Sequence, residues 1–104
     1  MERLIDRIIE VVSEETSVSV AEMWSKNRHE EIVDARMLVV YVAMRHFKLS
    51  SCVIGRYVGS TPQAIRYMNE SFEDRMKARR YLEIAHNRVM RTFEEMENKV
   101  EKRV

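Results

Sequence analysis

"LSSCVIGRYVGSTPQAIRYMNE", residues 49–70, decides the fold. It holds both of the chain's glycines and its only proline. Gly59 and Pro62 stand three apart, with Ser60 and Thr61 between them. Ser50 is a good N-cap for a short helix whose Val53, Ile54 and Val58 line one face. Gly59 suits the position just past that helix, where a positive φ is cheap only for glycine. Thr61 then caps the next helix, and Pro62 takes its first position, where a missing N–H costs nothing. The second helix buries Ile65, Met68 and Phe72, spaced by three and four. A helix stops, turns tightly and restarts: a helix-turn-helix over about residues 50–73.

The rest of the chain agrees with a helical fold. At 104 residues it suits one domain, 1–104, with a modest core. Two glycines and one proline are too few for the turns of a β-rich fold of this size. Hydrophobic residues at 45% and charged residues at 34% point to a folded, soluble chain. No apolar run reaches the ~20 residues that cross a bilayer, and the N-terminus lacks the apolar core of a signal peptide. One cysteine, Cys52, allows neither an internal disulfide nor a multi-cysteine zinc site. The expectation is an all-α helical bundle in the cytoplasm, with no membrane association.

Outward from the corner, residues 2–13 carry Leu4, Ile5, Ile8, Ile9, Val11 and Val12 at amphipathic spacing. Ser19 with Glu22 three positions on is a capping-box pattern, which starts a short helix through Met23 and Trp24. "SKNRHEE" follows as a polar, basic loop. Residues 31–47 are rich in apolar residues, lack Gly and Pro, and predict a central helix buried on most sides. After the corner, Leu82, Ala85, Val89, Phe93, Met96 and Val100 recur at heptad-like intervals, which predicts a long C-terminal helix over about 80–101. Whether it continues from the preceding helix or breaks within residues 74–80 is open. That helix suits either packing on its own domain or a homodimer seam.

Net charge is +1, which says little about partners. The distribution says more: Lys26, Arg28 and Arg36 cluster, as do Arg75, Lys77, Arg79 and Arg80, and a neutral total can hide a basic face. In a helix-turn-helix the second helix can enter the major groove of double-stranded DNA. The candidate reading surface is Ser60, Thr61, Gln63, Ala64, Arg66 and Tyr67. Gln pairs with adenine, Ser and Thr bond bases or phosphate, and Ala meets a thymine methyl. Arg66 and Tyr67 are better placed for the backbone. The pattern by itself leaves both DNA binding and a plain structural corner open.

The sequence resembles the C-terminal DNA-binding domain of DnaA, the bacterial replication initiator, from about Leu4 to about Phe72. "LIDRIIEVVSEETSVSVAEMWSKNR" is similar to that family's first helix, short second helix and basic loop, whose serine-lysine-x-arginine ending is Ser25, Lys26, Asn27 and Arg28 here. "IVDARMLVVYVAMRHFKLSSCVIGRYVG" is similar to its central helix, with Arg36, and to the isoleucine-glycine of the next helix, Ile54 and Gly55. The resemblance implies a Trp-repressor-like fold, DNA binding, phosphate contacts for Lys26 and Arg28, and a minor-groove contact for Arg36. It also implies a bacterial, nucleoid-associated protein with a part in replication initiation. The family opens its recognition helix with arginine-aspartate-histidine-threonine-threonine-valine. Here the matching stretch is "STPQAI", Ser60 to Ile65, with one residue fewer in the turn. The core position is kept as Ile65, while the base-reading positions differ. The implication is general DNA binding rather than reading of the initiator's usual origin sequence. No "GxxxxGK[ST]" occurs, so this chain alone is not expected to be an ATPase. A stand-alone relative, such as one from a mobile element or phage, fits that pattern.

The remaining features point to structure. His29, His46 and His86 lie in separate segments without ligand spacing, so no metal and no cofactor is expected. His46 suits a helix C-terminus. Cys52 reads as a small, partly packed residue. The eight methionines read as core filling and Trp24 as an anchor for the short helix. Tyr57 and Tyr81 have no assigned role. No catalytic constellation is visible. A helical interaction protein that has lost DNA binding is the alternative function.

Overall fold

The computed structural model describes residues 2–102, with side chains described for residues 4–97. Six α-helices and no strand occur among them: α1 Glu2–Thr16, α2 Val20–Met23, α3 Glu30–Tyr41, α4 Ser51–Val58, α5 Pro62–Ala78 and α6 Arg80–Lys102. The chain is all-α.

Local chemistry sets most of the boundaries. Ser19 and Glu22 form the capping box that starts α2. Ser50 Oγ accepts from the Val53 N–H at 3.1 Å to open α4, and Thr61 Oγ1 accepts from the Ala64 N–H at 3.1 Å to open α5. Each such cap is worth about 1 kcal/mol. Gly59 closes α4 with φ of 78°, in the left-handed region.

The central helix departs from the expected single run over 31–47. After Tyr41 it widens into a π-helical turn, Val42–His46. The Phe47 N–H reaches back to the Val42 carbonyl at 3.3 Å and the Leu49 N–H to Ala43 at 3.0 Å. Lys48 closes the turn with φ of 59°, a left-handed conformation carried without glycine. The wider turn accompanies an aromatic corner, in which Phe47 packs edge-on against His46 and Phe93.

Val12, Leu38, Val39, Ile54, Ile65, Phe72, Leu82 and Val89 are fully buried in one core that takes residues from every helix. Burying each large apolar side chain contributes about 1.5–3 kcal/mol. Of the trio expected to line one face of α4, Ile54 is buried and Val58 half-buried, whereas Val53 is exposed. Met23 and Met37 are buried, and Met44, Met68, Met76, Met90 and Met96 pack against the core, as core filling requires. On α6, Leu82, Ala85, Val89 and Phe93 are buried in the chain's own core and Met96 packs beside them. The side chain of Val100 lies outside the described residues. No described helix is long and apolar enough to cross a membrane.

α5 and α6 are separate helices. Arg79, extended at φ −133° and ψ 103°, ends α5, and its carbonyl accepts the first hydrogen bonds of α6. Neither glycine nor proline marks this break. Its cause is tertiary: Arg79 donates from Nη1 to Asp34 at 2.9 Å and pairs with Glu30 at 2.6 Å. Asp34, only 1% exposed, also accepts from Arg75 and from the Tyr81 hydroxyl. Burial and the bond to Asp34 raise the Tyr81 pKa above the usual phenol value. Arg75 and Arg79 therefore face an interior carboxylate. Of the cluster Arg75, Lys77, Arg79 and Arg80, two members are thus turned to that carboxylate while Lys77 and Arg80 are exposed, and Tyr81 gains a role.

Candidate nucleic-acid interface

The corner is built on close backbone contact. The Gly59 and Ser60 N–H groups both donate to the Gly55 carbonyl at 2.8 Å. A Cβ placed on Gly55 would stand 2.5 Å from the Ser60 carbonyl oxygen. Gly55 is thus the residue that lets the turn fold down onto α4, and Gly59 is the one that reverses the chain. Between them they set the direction in which α5 leaves the turn.

Thr61, Gln63, Arg66 and Tyr67 are exposed, Ala64 and Ser60 half-exposed, and Ile65 on the opposite side of the helix is buried. Tyr67 is 66% exposed, the highest value among the large apolar side chains of the described residues. The Thr61 hydroxyl accepts the helix's own Ala64 N–H, and Ser60 uses its backbone in the turn, so each is tied to the corner. Arg66 donates from Nη1 to Ser51 Oγ at 3.1 Å, which links α5 to the start of α4. Exposed Gln63 is the group in this row with a full amide fork, two donors and an acceptor.

The second candidate element is the loop between α2 and α3. Lys26 and Arg28 are exposed on it. The loop is ordered by its own polar groups. Ser25 Oγ donates to the Glu22 carbonyl at 2.7 Å and accepts from the Asn27 N–H at 3.2 Å. Asn27 Oδ1 accepts from the His29 N–H at 2.9 Å. Arg36, on α3, turns toward this loop. Its Nε donates to the Met23 carbonyl at 2.6 Å, and its Nη2 to the Ser25 and Asn27 carbonyls at 2.9 and 3.1 Å. Burial lowers the Arg36 pKa from the ordinary guanidinium value. The structure thus places Lys26 and Arg28 together on one loop with Arg36 behind them, and the other six candidates on the turn and first two turns of α5.

The remaining titratable groups do not gather into a reactive site. No three His, Cys, Asp or Glu among the described residues are arranged to hold a metal ion. Cys52 is exposed at the start of α4. His46 lies 3.8 Å from Glu97 on α6. His86 packs edge-on against Tyr41, and burial lowers its pKa below the ordinary value.

A family model and two curated relatives match this chain. A family model described as the bacterial DnaA protein helix-turn-helix matches residues 5–70. The chromosomal replication initiator protein DnaA of Nautilia profundicola is 29% identical over 98 residues, covering 93% of this chain and 21% of that protein. The protein of the same name from Bacteroides fragilis is 33% identical over 60 residues, covering 58% of this chain and 13% of its own length. The chain thus spans about a fifth or less of the length of the curated relatives it matches.

Proposed function

The chain belongs to the bacterial DnaA helix-turn-helix family, and from that premise we propose that it binds double-stranded DNA and reads the major groove with the helix that starts at Pro62. The observation that carries the reading is the exposure of Gln63, Arg66 and Tyr67 on one side of a helix whose other side is pinned by Ile65 and Phe72, with exposed Thr61 at its N-cap. A rigid helix with an open, polar first turn suits groove insertion. Gln63 takes base edges, Ala64 meets a thymine methyl, Thr61 and Ser60 flank them, and Arg66 and Tyr67 meet the sugar-phosphate backbone. Lys26 and Arg28 hold phosphates beside the groove.

The protein acts by binding, without catalysis, as one helical unit in the cytoplasm at the nucleoid. The relatives' name, chromosomal replication initiator protein, makes replication initiation the process to examine first. Dimerisation through α6 would have to use what that helix leaves outside, among the described residues Tyr81 and Ile84, and sedimentation at two concentrations decides it.

The deciding experiment is a mobility-shift titration against mixed duplexes at two salt concentrations. A protein that neutralises several phosphates weakens steeply as salt rises, with log K falling by about 0.9 per contact per log unit of salt. Absence of a shift at low salt would overturn the reading in favour of a helical interaction protein.

A further inference from the structure

We infer that Arg36 is a positioning residue: it fixes the shape of the loop that presents Lys26 and Arg28 and makes no DNA contact of its own. The inference rests on the reading of that loop as a phosphate-binding element.

One guanidinium gathers three backbone carbonyls, those of Met23, Ser25 and Asn27, which lie 13, 11 and 9 residues before it. These are the end of α2 and alternate residues of the loop, so a single side chain sets the path of the strand of chain on both sides of Lys26. Arg36 stands on α3 between Ala35 and Met37, both buried, so its anchor is rigid. A planar fork with fixed N–H directions can serve three carbonyls; an ammonium is a point donor on a flexible stem and cannot hold the same set. Carbonyls drawn inward leave the alternate side chains, Lys26 and Arg28, turned to solvent, where both are exposed. A guanidinium spent this way cannot reach into a groove without releasing the loop.

The test is Arg36→Lys, which keeps the charge and loses the fork. If Arg36 positions the loop, this variant loses as much DNA affinity as the Lys26→Ala/Arg28→Ala pair. Its salt slope drops by about 1.8, the value of two phosphate contacts. Added to that pair, it costs nothing further. Binding within about twofold of the parent, or a loss that adds to the pair's, would overturn the inference. A readout without DNA runs in parallel: trypsin cleaves after Lys26 and Arg28. In Arg36→Lys this cleavage accelerates roughly tenfold as the loop opens, while cleavage elsewhere is unchanged. Equal cleavage rates overturn the inference whether or not any duplex binds. A parent that shifts no duplex defeats the proposed function instead, and proteolysis still judges the clamp. Should Arg36→Lys fail to fold, Asn27→Ala removes only the acceptor for the His29 N–H and leaves the guanidinium in place. Its clamp of three carbonyls is intact, so behaviour near the parent's is expected in both readouts, and a loss as large as that of the Lys26→Ala/Arg28→Ala pair would overturn the inference, because the loop would then owe its shape to the Asn27 side chain.

Discussion

Asp34, near the start of α3, accepts a hydrogen bond at 2.9 Å from Nη1 of Arg79, the residue at which α5 gives way to α6. Arg75, a turn earlier on α5, meets the other carboxylate oxygen. Asp34 is buried, but the side chains that would lose it, Arg75 and Arg79, keep 28% and 23% exposure, so water takes up part of what the carboxylate gives them. Asp34→Ala is expected to lower the unfolding free energy by about 1–3 kcal/mol in urea titration, the cost of removing one partner of a hydrogen-bonded set. An effect below about 0.5 kcal/mol would mean that solvent replaces the carboxylate freely.

The two glycines do different work. Gly55→Ala drives a methyl toward the Ser60 carbonyl, a backbone atom that cannot swing aside, 2.5 Å away. The expected loss is about 2–3 kcal/mol, with a weakened corner. Gly59→Ala meets nothing within 4 Å and costs only the left-handed backbone, about 1–2 kcal/mol. Equal losses at both positions would contradict this division, as thermal unfolding of the pair can show.

Lys48 carries a φ of 59° at the end of the π-helical turn. Lys48→Gly relieves that conformation and is expected to stabilise the fold by about 0.5–1 kcal/mol. A loss of stability would show that the lysine side chain contributes more than its backbone costs.

His86 adds a pH dependence. Burial depresses its folded pKa below the ordinary imidazole value. The unfolded chain then takes up its proton first as pH falls. The neutral ring's contribution is present above about pH 6.5 and is lost as pH drops toward the folded pKa. The difference in stability between the parent and His86→Gln should shrink from pH 7.5 to pH 5. A difference that stays constant would show that the ring titrates alike in both states.

At the interface, Gln63→Ala should alter preference at one base pair by about 1–3 kcal/mol and leave the salt slope unchanged. Lys26→Ala should weaken all duplexes alike and lower the salt slope by about 0.9. Selection among randomised duplexes, followed by salt titration, separates the two effects.

Much of this fold is legible in the sequence because its signals are local. Ser19 with Glu22, Ser50, Gly59, Thr61 and Pro62 each act within four residues, and each sits where its chemistry requires. The row from Thr61 to Tyr67 follows from helical spacing once Ile65 is placed inward. What the sequence hides is tertiary. The break at Arg79 has no punctuating residue, because ion pairs with Asp34 and Glu30 make it. Asp34 itself reads as an ordinary helix-surface acid until three partners from α5 and α6 close over it. Arg36 looks like one more surface cation, since nothing in its neighbours shows that three carbonyls far upstream will converge on it.

The buried carboxylate also holds the far end of α5, through Arg75. From Gln63 to Arg75 is 12 residues, or about 18 Å of helix at 1.5 Å per residue. A swing of roughly 5° about the Arg75 end would carry Gln63 sideways by about 1.5 Å, enough to break a hydrogen bond to a base edge. If the tip of α5 reads DNA as proposed, its aim depends on the far end of that lever as well as on Ile65 and Phe72, which hold the helix to the core.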